Sequence, residues 1–184
     1  MTLDYRDYVR WLSYHLDERI FLSDGSEHAL IVFERIFKQS SKILRIFAGN
    51  LCRTMGNEPE YITALSDFIV KGGSVRILLN NYDEKLVNES NLFKRLAYFK
   101  NLGKDITVKK TETKLYQKGD PFQKEIYFTV GDENAYRIES NIKQCIAQCS
   151  MNRKNEAKEI ITLFDGLFNS DESEEIDLLK IFGY

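Results

Sequence analysis

The residues of this chain best suited to chemistry gather on one stretch, from Glu125 to Asn141. It holds four carboxylates, Glu125, Asp132, Glu133 and Glu139, with Arg137 among them. Such a group of acids can hold Mg²⁺ for phosphodiester cleavage. Period-two alternation puts Arg137 and Glu139 on one face of a strand and Tyr136 and Ile138 on the other. With Asn141, the charged pair makes either a polar pocket or a solvated sheet face whose ion pair adds little stability.

A second chemical signal is charge. From Lys94 to Lys124 there are nine basic residues, opposed only by Asp105, Glu112 and Asp120, with Tyr98, Tyr116 and Phe122 interleaved. Lys109, Lys110, Lys114 and Lys118 form a candidate anion-binding set, or a charged surface that keeps the chain soluble. The third signal is asparagine after apolar runs. Asn50, Arg53, Asn80 and Asn81 follow two such runs and would face a crevice at the carboxyl ends of parallel strands, or simply make turns. Cys52, Cys145 and Cys149 contain no C-x-x-C pair, and His15 and His28 lie far from them, so reduced thiols are expected and no metal site. No cofactor motif is legible.

The elements that must position these residues follow from hydrophobic period. Asp4 to about Ile20 reads as a helix with Tyr5, Tyr8, Val9, Leu12 and Leu16 on one stripe. A second helix starts near Asp24 or Ser26 and ends at Gln39 to Ser41. Ile43 to Ala48 is a buried strand, Pro59 opens a helix, and Gly72-Gly73 closes it before the strand Val75 to Leu79. Glu84 to Leu102 is a helix, and Ile106 to Val108 a strand. This grammar implies right-handed crossovers and a largely parallel sheet. Thr111 to Gln123 is polar and reads as a mobile loop. Lys124 to Val130 and Ala135 to Glu139 form a hairpin around Gly131 to Asn134. Ile142 to Ser150 suits a strand or a short helix. Asn155 to Phe168 is a helix with Ile160, Leu163, Phe164 and Leu167 inward. The fold class is therefore α/β, a mixed, largely parallel sheet with helices on both faces. Residues 1–22 form an N-terminal helix, 23–169 the α/β domain, and 170–184 an acidic tail whose apolar end is a docking helix.

Composition bounds the rest. The chain has 184 residues, 43% apolar, with a formal net charge of −2. That supports one sizeable core and argues against both disorder and a globally basic nucleic-acid binder. No apolar run approaches the roughly 20 residues of a membrane helix, and the first residues lack a signal core, so a cytoplasmic protein that does not enter the membrane is expected.

The order of elements from Lys42 to Leu79, with Gly49-Asn50-Leu51 after the first strand, resembles one repeat of the phospholipase D-like superfamily. The likeness covers roughly residues 24–169. The family's next landmark is a hairpin carrying H-x-K-x-x-x-x-D and a G-S-x-N-like segment. Ile126 to Asn141 resembles that hairpin, with Asp132 at the motif's Asp. The closing strand and helix resemble Ala147 to Asn152 and the helix around Phe164-Asp165. Counting back from Asp132, Glu125 occupies the His position and Tyr127 the Lys position. The resemblance implies a His nucleophile and a phosphate-binding Lys, and this chain has neither. A carboxylate repels an anionic phosphate, and a phenol offers one donor and no positive charge.

The resemblance thus implies a phospholipase D-like fold without the family's chemistry, binding a protein or nucleic-acid partner. A single repeat of that family also implies a homodimer. Two rivals stand beside it: a metal-dependent phosphodiesterase or nuclease built on the carboxylates, and a regulatory subunit of a larger assembly.

Overall fold

A computed structural model describes residues 4–52 and 55–184. The chain runs α1 (Tyr5–Tyr14), β1 (Phe21–Ser23), α2 (Gly25–Gln39), β2 (Ile43–Ala48), a short 3₁₀ turn (Met55–Asn57), α3 (Pro59–Val70) and β3 (Ser74–Leu79). There follow α4 (Glu84–Glu89), α5 (Asn91–Asn101), β4 (Ile106–Thr111), β5 (Tyr127–Gly131), β6 (Ala135–Asn141), β7 (Ile146–Ser150), α6 (Lys154–Phe168), β8 (Ser173–Glu175) and α7 (Leu178–Phe182).

The strands form one mixed sheet in the order β1-β7-β6-β5-β2-β3-β4-β8. Parallel pairing is confined to β2-β3 and β3-β4, whose crossovers carry helices. The other neighbours are antiparallel: β5-β6 and β6-β7 are joined by turns, β1-β7 and β4-β8 by chain ends folding back, and β2 meets β5 across the intervening crossovers. The sheet is therefore mixed, parallel across β2-β3-β4 on one side of its middle and antiparallel everywhere else, including the central β5-β2 pair.

Alternation along the central strands divides the core. Leu44, Ile46, Val75 and Ile77 join the cluster under α1, α2, α3 and α5. Phe47, Leu78, Phe128 and Tyr136 join a second cluster under α6. Helices thus cover both faces, as expected. On the α6 face Arg45 donates two hydrogen bonds to the Asp165 carboxylate, at 2.8 and 3.0 Å.

Several elements depart from the expected ones for local reasons. α1 stops at Tyr14, and Leu16 takes φ 51° and lies exposed. The helix expected over 84–102 breaks at Ser90, whose hydroxyl caps α5 by accepting from Phe93 N. Leu163 is outward, 45% exposed, because α6 packs through Ala157, Ile160, Phe164 and Phe168. Residues 142–145 make a turn and Ile146–Ser150 a strand. The stretch expected as a loop folds back on itself, with Ile126 N bonded to Leu115 O and Gln117 N to Lys124 O.

The tail adds β8 to the β4 edge, Lys110 pairing with Glu174. Ile176 and Leu178 are buried in the larger core cluster. Leu178→Ala is therefore expected to cost about 2–5 kcal/mol, the range for a buried leucine. Thermal unfolding reads this directly; a melting temperature unchanged within a degree or so would mean the tail does not dock.

Candidate functional site

At the carboxyl end of β2, between the sheet and the α2–α3 layer, lies a cavity of about 260 Å³. β2 runs into its lip and contributes Gly49 and Asn50. A Cβ at Gly49 would stand 2.8 Å from the Tyr127 hydroxyl, so a larger residue there would have to push that ring aside. Among the described residues, five other than glycine have positive φ, and two of them, Leu51 and Cys145, both at 56°, line this cavity. Strained backbone of this kind collects at functional sites.

The cavity has an inner and an outer part. Inside, β6 supplies Arg137, which is 2% exposed. Its guanidinium lies 4.9 Å from the centre of the Phe33 ring on α2 and donates to Glu139 Oε1 at 3.2 Å and to Cys145 O at 2.9 Å. Burial holds the Glu139 carboxyl above the ordinary carboxylate range, while Arg137 pulls it back down. Burial also pushes both thiols up, that of Cys149 to about 12. Tyr61 from α3 closes the wall, edge-on to Phe33 with ring centroids 5.2 Å apart.

The outer part is the mouth. Glu125 Oε1 accepts from Asn80 Nδ2 at 2.7 Å, and Lys114 Nζ stands 3.8 Å from its other oxygen. Tyr127 lines the cavity beside it, its hydroxyl pushed up to about 12 by burial and by Glu125. These are the two residues that counting back from Asp132 sets against the motif's His and Lys. Neither His15 nor His28 lines the cavity; His28 stacks on Tyr5, with centroids 3.6 Å apart.

The sequence-derived residues are thus sorted by the fold. Asn50, Arg137 and Glu139 line the cavity together, while Asn80 bonds Glu125 beside Tyr127 without lining it. Arg53 falls outside the described residues. Asn141 is exposed and closes the β6–β7 turn by bonding Gln144. Asp132 lies at the other end of β5, where its carboxylate accepts from Ser41 N, Lys42 N and Ile43 N at 2.8–3.0 Å. Glu125 and Asp132 flank opposite ends of one strand, so the four carboxylates do not converge.

Three of the four candidate lysines are engaged within the chain. Lys109 donates to Phe168 O at 2.7 Å, and Lys110 and Lys114 pair with Glu174 and Glu125. Lys118 is exposed. Tyr61 and Cys145 are the site residues that sequence reasoning missed. Tyr61 carries the apolar period of α3, and nothing local marks its hydroxyl.

No family model and no curated protein sequence matches the chain. Solved structures do. Nuc from Salmonella typhimurium, a phospholipase D family member, aligns with TM-score 0.59 at 13% identity over 87% of this chain and 99% of that one. NucT from Helicobacter pylori aligns with TM-score 0.56 at 8% identity over 87% of this chain and all of its own. TrmBL2, an archaeal chromatin protein described as having a novel mode of DNA binding, aligns with TM-score 0.63 at 10% identity. Here 87% of this chain spans about half, 54%, of that protein. The fold is phospholipase D-like.

Proposed function

We propose that this chain, with its phospholipase D-like fold, is a binding domain that does not cleave phosphodiesters and whose partner is a protein. The observation that carries the reading is Glu125. It takes the place of the motif's nucleophile, and Asn80 Nδ2, which can only donate, fixes its Oε1 as an acceptor. An anionic carboxylate there repels a phosphodiester, and the neighbouring Tyr127 supplies no cation to offset it. The pairing of Lys109, Lys110 and Lys114 inside the chain, with a net charge of −2, favours a protein over nucleic acid. The expected pairing with a second copy belongs to the same proposal.

The test is an assay with bis(p-nitrophenyl) phosphate and with single-stranded DNA, each with and without EDTA. No turnover is expected in any arm. Turnover that survives EDTA and is lost in Glu125→Gln overturns the reading. Glu125→His with Tyr127→Lys is expected to stay inactive, because catalysis also needs supporting groups that this mouth does not supply. DNA binding that falls steeply between low and physiological salt would replace the protein partner with nucleic acid.

A further inference from the structure

The inner cavity carries two hydrogen-bonding atoms without a partner. Tyr61 Oη and Arg137 Nε are both buried and unbonded. Their residues are 1% and 2% exposed, and both line the cavity. Each unmet group costs roughly 1–3 kcal/mol, so two of them in residues that line one cavity are a feature that a folded chain rarely keeps without use. The phospholipase D-like motif does not account for them, since its His and Lys positions are at the mouth.

The surroundings define what would satisfy them. Arg137 Nε–H can only donate, and the Tyr61 hydroxyl can donate too, so the missing group is an acceptor. Arg137 is already matched by Glu139, and Cys145 and Cys149 are held as neutral thiols. The site therefore has no spare positive charge, and a buried carboxylate would stand uncompensated beside Glu139. Much of the remaining wall is apolar and aromatic, with Phe33, Ile46, Phe47 and Met55, while Asn50, Asn81, Tyr127 and Thr129 add polar groups. At about 260 Å³ the space is below the roughly 300–1,000 Å³ of sites for drug-sized molecules. Both unmet atoms are closed to water, so an occupant must press the wall aside; Met55, unbranched and adaptable, is the side chain suited to give way.

The geometry points to a second, small-molecule site: the cavity takes a neutral, largely apolar ligand bearing one carbonyl or amide oxygen, which Tyr61 Oη and Arg137 Nε bind as donors. This site stands whether or not the mouth is catalytic, so it goes beyond the function proposed above and can fail separately.

Three monosubstituted benzenes test it: benzamide, its near-isosteric anion benzoate and the smaller, apolar toluene, titrated into the full chain and followed by calorimetry and by melting temperature. Benzamide is expected to bind and stabilise, with benzoate and toluene weaker by about fivefold or more. Tyr61→Phe removes only the hydroxyl. It is expected to weaken benzamide by about tenfold, to leave toluene unchanged, and to keep or raise the melting temperature of the unliganded protein. Four outcomes overturn the proposal: no benzamide binding, toluene equal to benzamide, benzoate tighter than benzamide, or a Tyr61→Phe protein that melts lower without ligand.

Discussion

Arg137→Met should destabilise the domain by about 3–5 kcal/mol, the usual cost of leaving a buried partner charge unmatched. For a chain of this size that is a fall in melting temperature of very roughly 6–20 °C. The reason lies in what remains. Glu139 keeps its buried position but loses the guanidinium 3.2 Å away, and Cys145 O loses its donor. Among the described residues the remaining titratable neighbours of Glu139 are the thiols of Cys145 and Cys149 and the Tyr127 hydroxyl. Its carboxyl already titrates above its ordinary value in the folded chain. Such a group binds extra protons when folded, so its contribution falls as pH rises from the ordinary value through the raised one. Removing Arg137 raises the folded value further and widens that window. The deficit of Arg137→Met is therefore expected to be largest near about pH 8 and to shrink toward roughly pH 5. The double change Arg137→Met with Glu139→Leu should recover more than half of the loss, since an apolar pair can replace a buried ion pair at little cost. A single variant that melts within a degree or two of the parent at pH 8, or a deficit that grows on acidification, would show that the pair is not the buried element described here.

Asp132→Ala should be nearly as damaging, for an unrelated reason. Its carboxylate accepts from three consecutive backbone amides, Ser41, Lys42 and Ile43, and from the Ser41 hydroxyl at 3.3 Å. These donors have just left α2 and enter β2, so the carboxylate sets where the central strand begins. Hydrogen bonds to a charged acceptor contribute about 1.5–3 kcal/mol each when well shielded, and less here because Ser41 and Lys42 are exposed. A net loss of about 2–3 kcal/mol, or roughly 4–12 °C, is expected. Asp132 also holds φ 49°, a conformation that asparagine tolerates and alanine resists. Asp132→Asn should therefore lose much less. Because Asp132 is at the opposite end of β5 from the cavity, benzamide binding should be the same in Asp132→Asn as in the parent. A loss of binding with stability intact would return this residue to the site.

The same two residues mark what could be read in the sequence and what could not. β2 is legible to the residue, Ile43–Ala48, because a short apolar run bounded by Ser and Gly has one plausible period. α3 announces itself by Pro59 and ends at the Gly72-Gly73 pair. The alternation of Tyr136, Arg137, Ile138 and Glu139 correctly separates the two faces of β6, since side chains in a strand alternate whatever packs on them. Setting Glu125 and Tyr127 against the family motif likewise uses local sequence alone, since it needs only counting from Asp132.

Tertiary structure decided everything that depends on what lies across the sheet. Period places Arg137 on a face, but whether that face meets water or α2 and α3 is set by long-range packing, and only that packing makes it a buried cavity wall. Glu125 and Asp132 are seven positions apart in sequence, yet an extended strand separates them and hands one to the cavity mouth and the other to the backbone entering β2. The acidic tail reads as a separate appendage because its charges are local. Its role as an edge strand depends on the basic rim of β4, which lies far away along the chain. Tyr61 is the sharpest case. Its helical spacing marks it as core, which it is, and only the fold reveals that its hydroxyl and the Arg137 Nε are both buried without a partner in residues that line one cavity.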